Sequence, residues 1–165
     1  MHTPPQPARS LDFPLTFRVF PSTTDLESQL VRHISAVANQ AIVDRGRFSV
    51  VVTGGKTMLS IYQYLRQIET DWRSWSIAWT DERCLPIEHP ERNSRQAFVT
   101  WLSHVPIPKE NVFVIPAELG PVSGSDCYAQ LLAGVDRFDL VILSLGEDGH
   151  VASIFQTDET SQSGI

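Results

Sequence analysis

Short β-branched runs alternate with longer stretches of helical periodicity along this chain, and this alternation limits its possible folds more than any other feature. Apolar residues at helical spacing predict helices, and short β-branched runs predict strands. About five such alternations favour an open parallel, or mostly parallel, sheet with helices on both faces and right-handed crossovers. We therefore expect an α/β fold of Rossmann-like type.

The predicted strands are short apolar runs, at residues 15–20, 48–53, 76–80, 111–115 and 139–145. The runs at 48–53 and 139–145 are nearly continuous, which is typical of strands buried on both faces. The predicted helices lie between them, at about 22–44, 59–68, 93–103 and 125–133. A further short helix is expected after residues 146–150, carrying Ala152 and Phe155.

The length of 165 residues suits one domain with a hydrophobic core. We expect a flexible, proline-rich arm over residues 1–14 and a single α/β domain over residues 15–165. The arm lacks the apolar segment of a secretory signal, and no apolar run approaches the ~18 residues of a membrane span. Cys84 and Cys127 are too few and too scattered for a disulfide framework, so we expect reduced thiols in a cytoplasmic protein.

The net charge of −6 argues against nucleic acid as the main partner, because a phosphate backbone demands a basic surface. It does not exclude a small anionic substrate, which a few local donors can hold. Lys56 and Lys109 are the only lysines, and Lys56 falls inside a glycine-containing turn. No set of His, Cys and carboxylate residues has zinc spacing, so no metal is expected.

The first candidate cluster is Gly54, Gly55, Lys56 and Thr57, between a predicted strand and a predicted helix. The glycines allow close approach of a ligand to the backbone, and the helix N-terminus offers unpaired N–H groups. Lys56 and Thr57 could add hydrogen bonds to phosphate oxygens. The spacing is not that of a P-loop, and a plain strand–helix turn is the alternative interpretation.

The second cluster, Asp81-Glu82-Arg83, follows the strand predicted at 76–80. Asp81 and Arg83 are two residues apart and could both face a cleft, with Asp81 orienting a hydroxyl or a side chain. Arg83 offers a fixed fork for a phosphate or an oxyanion. A solvated charged turn is the alternative.

The third cluster runs from Gly146 to His150 and follows the strand predicted at 139–145. Asp148 could hold the imidazole of His150, and histidine is well suited to take a proton from water at neutral pH. A capping or packed histidine is the alternative. All three clusters follow strands, where ligands bind in open α/β sheets, so one composite site is expected. A Cys84–His150 nucleophile pair remains a further option.

These segments together resemble the 6-phosphogluconolactonase family, which shares its fold with glucosamine-6-phosphate deaminases. Residues 53–57 (TGGKT) are similar to the family's phosphate loop, and D-E-R with the following Pro86, His89 and Asn93 is similar to its second segment. Residues 145–155 (LGEDGHVASIF) are similar to its G-x-D-G-H-T-A-S-L-F motif. The continuation after His150 has the lactonase form and lacks the N-E-P of the deaminases.

The resemblance implies hydrolysis of 6-phosphogluconolactone to 6-phosphogluconate in the pentose phosphate pathway, without a metal or an organic cofactor. His150 would activate water, and Arg83 or nearby N–H groups would stabilise the oxyanion. Asp81 and Asp148 would orient the reacting groups and would not act as nucleophiles. Residues 54–57 would hold the phosphate of the sugar. Lys56 stands where the family often has Ser or Arg, and Met58 replaces the usual Pro.

The family continues well beyond the D-G-H motif, so we expect this chain to lack C-terminal elements that complete the fold. Self-association through an uncovered C-terminal side is then expected. Two alternative functions stay open. One is a catalytically impaired module that binds sugar phosphates or serves in assembly, and the other is a deaminase acting on glucosamine 6-phosphate.

Overall fold

A computed structural model describes residues 16–154 of the chain. Within that range, four parallel strands form one sheet in the order β3-β2-β1-β4. The strands are β1 (Phe48–Val52), β2 (Trp75–Trp79), β3 (Val112–Phe113) and β4 (Leu140–Val141). The predicted α/β fold with a parallel sheet is therefore confirmed, and the strand order matches the first four strands of the Rossmann order 3-2-1-4-5-6.

Four α-helices lie between or before these strands in the sequence. They are α1 (Thr23–Arg45), α2 (Lys56–Leu65), α3 (Asn93–Thr100) and α4 (Pro121–Leu131). Short 3-10 turns occur at Trp72–Ser74, Leu102–His104, Lys109–Asn111 and Ala117–Leu119.

The strand order decides which face of the sheet each crossover helix covers. The chain moves outward from β1 through β2 to β3, and then returns past β1 to β4. Right-handed crossovers in opposite directions lie on opposite faces, so α2 and α3 cover one face and α4 the other. The packing of α2 against both α1 and α3 agrees with this assignment.

The predicted start and end of α1 are confirmed by its caps. The Ser22 side chain accepts a hydrogen bond from the Asp25 N–H at 3.1 Å, as expected of an N-cap serine. Gly46 ends the helix in the left-handed conformation, with φ of 71°, and its N–H donates to the Ile42 carbonyl. The local sequence is therefore sufficient to define this helix.

An aromatic cluster fills the core between the sheet and helices α1–α3. Trp75 contacts Phe48 edge-on at 4.6 Å between ring centroids, and Trp101 stacks on Tyr62 at 5.2 Å. Trp72 and Trp79 are also buried. The four tryptophans therefore pack in the interior and do not form a stacking platform at the surface.

Two predicted strands differ from the structure. Residues 16–20 form no strand, and Phe17 and Val19 are 84% and 94% exposed; among residues 16–154 no strand pairs with this segment. The run at 139–145 was expected to be buried throughout, but β4 has two residues and lies at the edge of the sheet that residues 16–154 form. Ile142 faces the core, whereas Leu143 and Leu145 are 57% and 75% exposed.

The prediction of a helix after residues 146–150 is wrong for the described part of the chain, which ends at residue 154. Val151 instead makes isolated antiparallel bridges with Leu145 and with Ile154, and Ala152 adopts a φ of 52°. Phe155 lies outside the described residues. The glycines on both sides of Asp148 favour a turn here, and the bridge to Leu145 folds the segment back.

Smaller differences concern helix and strand ends. Helix α2 begins three residues earlier than predicted and α4 four residues earlier, because each starts directly after a glycine of positive φ, Gly55 or Gly120. The strand predicted at 111–115 is only two residues long. Among residues 16–154, no helix is both long and apolar enough to cross a membrane.

Candidate active site

A polar cleft of about 240 Å³ lies at the carboxyl ends of β2, β1 and β4. These three strands are neighbours, and the sheet changes winding direction between β1 and β4, which is where open α/β sheets bind ligands. The cleft residues are Thr53, Gly54, Gly55, Lys56, Thr57, Asp81, Arg83, Asn93, Ser144, Leu145, Gly146, His150 and Ala152. All of the predicted site residues except Asp148 are among them.

The Gly54–Thr57 turn, which we call the glycine loop, forms the floor beside β1. Gly55 has a φ of 106°, which a residue with a side chain rarely adopts, and α2 begins immediately afterwards at Lys56. The first N–H groups of α2 have no partner within the helix and carry the positive end of its dipole. With the exposed Lys56 and Thr57, this loop offers several donors to an anion.

Tyr62 supports the glycine loop from beneath. Its hydroxyl donates to the Thr53 carbonyl at 2.8 Å, and its ring is buried against Trp101. Burial raises the pKa of the Tyr62 hydroxyl, with the nearby Glu82 carboxylate adding to the effect, so the hydroxyl stays protonated and keeps donating.

Tyr62→Phe is expected to lower the free energy of unfolding by about 1–3 kcal/mol, because the buried Thr53 carbonyl loses its side-chain donor. Urea denaturation measures the change. Tyr64→Phe, on the same helix but 39% exposed, is the matched control and should unfold like the wild type. An unchanged midpoint for Tyr62→Phe would show that the Thr53 contact contributes nothing.

Asp81 lies between the end of β2 and the His150 segment. One carboxylate oxygen accepts from the Thr80 hydroxyl at 3.0 Å, and the other accepts from Ser153 at 2.7 Å. Arg83 is exposed at the cleft edge and, with Lys56, brings positive charge to it.

Cys84 is exposed but is not a cleft residue, so the geometry gives no support to a Cys84–His150 pair.

His150 is held by a tight turn and by Asp148. The Gly146 N–H donates to the His150 carbonyl at 2.8 Å, and the imidazole Nδ1 is in hydrogen-bond contact with an Asp148 carboxylate oxygen. An ionised carboxylate can only accept, so Nδ1 carries the proton and Nε2 is the basic nitrogen. A Cβ on Gly146 would lie 2.3 Å from Nδ1, so only glycine leaves room for the ring.

The pKa of Asp148 is lowered, chiefly by the hydrogen bond from the His150 side chain. Asp148 is therefore ionised at neutral pH, and its contact with the imidazole is lost only as the pH falls through this lowered pKa. Asp148 does not line the cleft itself. We therefore expect it to act through His150.

Asp148→Asn is expected to lower kcat of a reaction that uses His150 as base by about tenfold or more, because the carboxylate no longer stabilises the protonated imidazole. The effect should stay below the ~10⁴-fold loss for the buried aspartate of a Ser-His-Asp triad, since Asp148 is solvent-exposed. KM should change little. Glu147→Gln, an equal charge change at the exposed neighbouring residue, is the control, and an equal loss there would contradict this role.

Sequence reasoning did not select Asn93 or Ser144 as site residues. Asn93 begins α3, and its side chain donates to the Asp81 carbonyl at 3.1 Å, while Ser144 donates to the Gly54 carbonyl at 3.3 Å. Asn93 had appeared only as part of the family resemblance. No local pattern marks Ser144, because its place in the cleft depends on the pairing of β4 with β1.

A parallel sheet with a glycine loop at a helix N-terminus and a carboxylate-paired histidine at its switch point defines an α/β protein with a polar cleft at the carboxyl ends of its strands. Residues 21–163 match the family model described as glucosamine-6-phosphate isomerases/6-phosphogluconolactonase. The chain belongs to this family.

Individual relatives agree with the family. The chain is 34% identical over 152 residues to 6-phosphogluconolactonase 3, chloroplastic, of Arabidopsis thaliana, covering 79% of this chain and 47% of the relative. It is 34% identical over 125 residues to the 6-phosphogluconolactonase of Synechocystis sp., covering 70% and 52%. The chain thus spans about half the length of these curated relatives.

Solved structures share the fold. The crystal structure of a 6-phosphogluconolactonase from Thermotoga maritima superimposes with a TM-score of 0.75 at 30% identity, covering 79% of this chain and 60% of that one. The enzyme from Trypanosoma brucei gives a TM-score of 0.79 at 22% identity, covering 92% and 67%. The second likeness concerns the fold alone.

Proposed function

We propose that this chain carries the catalytic corner of a 6-phosphogluconolactonase, which hydrolyses 6-phosphogluconolactone to 6-phosphogluconate. The observation that supports this most is that His150, which is paired with Asp148, lines the same cleft as the glycine loop. A base and an anion-binding loop in one cleft suit a substrate that carries both a reactive carbonyl and a phosphate. The lactonase names of the relatives favour the same reaction.

In this reaction His150 Nε2 takes a proton from water, and the water oxygen forms a bond to the lactone carbonyl carbon. The resulting tetrahedral oxyanion needs a fixed positive group, and Arg83 at the cleft edge has the charge and the fork geometry for it. The bond between that carbon and the ring oxygen then breaks, and the imidazolium returns its proton to the ring oxygen. Asp148 stabilises the imidazolium between these two proton transfers.

The glycine loop would hold the phosphate. Its N–H groups, Lys56 and the Thr57 hydroxyl supply donors on one side of the cleft, which fixes the sugar for attack. Asp81 is held by Thr80 and Ser153, so we assign it to orientation of the two loops that it joins. A carboxylate bonded in this way is poorly placed to attack a carbonyl.

The test follows the acid released from 6-phosphogluconolactone by the full chain, at a pH where spontaneous hydrolysis is slow. We expect hydrolysis above background, and calorimetry should detect binding of 6-phosphogluconate. Binding without turnover would instead favour a sugar-phosphate-binding module. Release of ammonia from glucosamine 6-phosphate would favour the deaminase, and neither binding nor turnover would reject the proposal.

A further inference from the structure

The middle residue of the Asp81-Glu82-Arg83 triplet points away from the cleft into the protein. The Glu82 side chain is 1% exposed. One carboxylate oxygen accepts from the Asn93 N–H at 2.7 Å, and the other accepts from the N–H and the hydroxyl of Ser94 at 2.9 and 2.5 Å. These bonds occupy the N-terminus of α3, where the N-cap residue, Arg92, makes no capping bond of its own. Glu82 therefore caps α3 from a different loop.

Arg92 compensates the buried charge of Glu82. Its guanidinium, also 1% exposed, has Nε 3.5 Å from a Glu82 oxygen, an ion pair without hydrogen-bond geometry. The other nitrogens donate to Glu118 at 2.8 Å, to the Leu85 carbonyl at 3.2 Å and to the Ile115 carbonyl at 2.7 Å. The hydrogen bond from Arg92 lowers the pKa of Glu118, so that carboxylate stays ionised. Removing one partner of such a buried pair leaves the other uncompensated.

The bonds to Glu82 place Asn93 between two cleft loops. The Asn93 amide nitrogen donates to the Asp81 carbonyl at 3.1 Å. Its amide oxygen lies so close to Gly54 that a Cβ added there would be 2.0 Å away. The side chain is buried, so it cannot swing aside without moving a loop or the helix start. Asn93 is thus a spacer between the glycine loop and the loop that carries Arg83.

From these contacts we infer that Glu82 is a positioning residue that sets the spacing between the glycine loop and Arg83 by fixing Asn93. The consequence for catalysis rests on the proposed lactonase function, because that function needs the phosphate and the oxyanion held at a fixed separation. The spacing itself is a property of the fold. It can be measured without any substrate.

The test compares Glu82→Gln with Glu88→Gln by amide hydrogen exchange on the full chain. Gln keeps the size of Glu82, but its NH₂ group can only donate, so either the Asn93 N–H or the two donors of Ser94 lose their acceptor. Glu88 is the matched control, because it lies on the same loop and is exposed beside Arg95. We expect exchange to rise about tenfold in Glu82→Gln only, at residues 93–97 and at residues 59–61, whose N–H groups bond to the glycine-loop carbonyls at the start of α2. Exchange in the interior of α1, around Ile34 to Ala41, should stay as in the wild type.

A second comparison tests the route through Asn93. Asn93→Ala alone should speed exchange at residues 59–61, which bond to the glycine loop, and Glu82→Gln should add little there in the double variant, because both changes act through one side chain. Faster exchange confined to residues 93–97 would overturn the inference, as would a uniform rise that includes α1. If Glu82→Gln does not fold, Asn93→Ala decides the question, and an unchanged glycine loop would then overturn it.

Kinetics separate this inference from the proposed function. If the wild type hydrolyses the lactone, Glu82→Gln should lower kcat/KM by about 10²-fold, the loss expected from a misplacement of about 1 Å. Absence of wild-type hydrolysis together with the coupled exchange would reject the function and keep the positioning role. Normal hydrolysis by Glu82→Gln, or a glycine loop that does not respond, would reject the positioning role and keep the function.

Discussion

Replacement of His150 by Ala is expected to lower kcat for lactone hydrolysis by about 10²–10⁴-fold, the usual contribution of a general base. The imidazole lines the cleft, and Asp148 holds its Nδ1, so the variant loses the one histidine among the described cleft residues. Binding of 6-phosphogluconate should change little, because the donors assigned to the phosphate lie on the glycine loop. Initial rates and calorimetry on the same preparations measure both effects.

His33→Ala is the control for this change. His33 is an exposed histidine of α1, and it is absent from the cleft residues. Its removal tests whether loss of any histidine affects the protein. Equal rates of lactone hydrolysis for His150→Ala and the wild type would show that His150 is not the base. The fold and the family membership would be unaffected by that result.

Gly54→Ala is expected to weaken binding of 6-phosphogluconate by at least about tenfold and to lower the free energy of unfolding by about 1–3 kcal/mol. The new Cβ would lie 2.0 Å from the amide oxygen of Asn93 and 2.5 Å from its Cγ. Asn93 is buried and bonded to the Asp81 carbonyl, so the glycine loop or the start of α3 must shift. Calorimetry and urea denaturation measure the two changes.

Two further variants make this prediction specific. Gly134→Ala adds the same methyl group where no atom lies within 4 Å, and it should behave like the wild type. Asn93→Ala combined with Gly54→Ala removes the clash and should recover part of the lost stability. If the single Gly54→Ala variant binds and unfolds like the wild type, the tight contact with Asn93 is not present in solution.

Much of the fold could be predicted because its elements carry local signals. The β-branched run at 48–53 is β1, buried at every position, since a central strand needs apolar side chains on both faces. The serine and glycine at the ends of α1 act through bonds within a few residues. The segment at 16–20 also has an apolar pattern, yet it pairs with no strand in the part of the chain that the structure describes, and strand pairing cannot be read from a local pattern.

The candidate site divides in the same way. The glycine loop, Asp81, Arg83 and His150 could be selected because each follows a predicted strand and has functional groups suited to sugar-phosphate chemistry. The turn at Gly146–His150, in place of the expected helix, depends on bridges that Val151 makes to Leu145 and Ile154. Residues close in sequence thus supplied the candidates, but not their final geometry.

By itself, the amino-acid sequence determined the α/β class, the strand ends where the cleft lies and the candidate residues that line it. These depend on periodicity and on short motifs, which act over a few residues. Only the tertiary structure decided that Glu82 turns inward to Arg92 and that Asn93 separates Gly54 from Asp81. Those contacts join residues from different loops, so their geometry exists only once the strands have paired and the helices have packed.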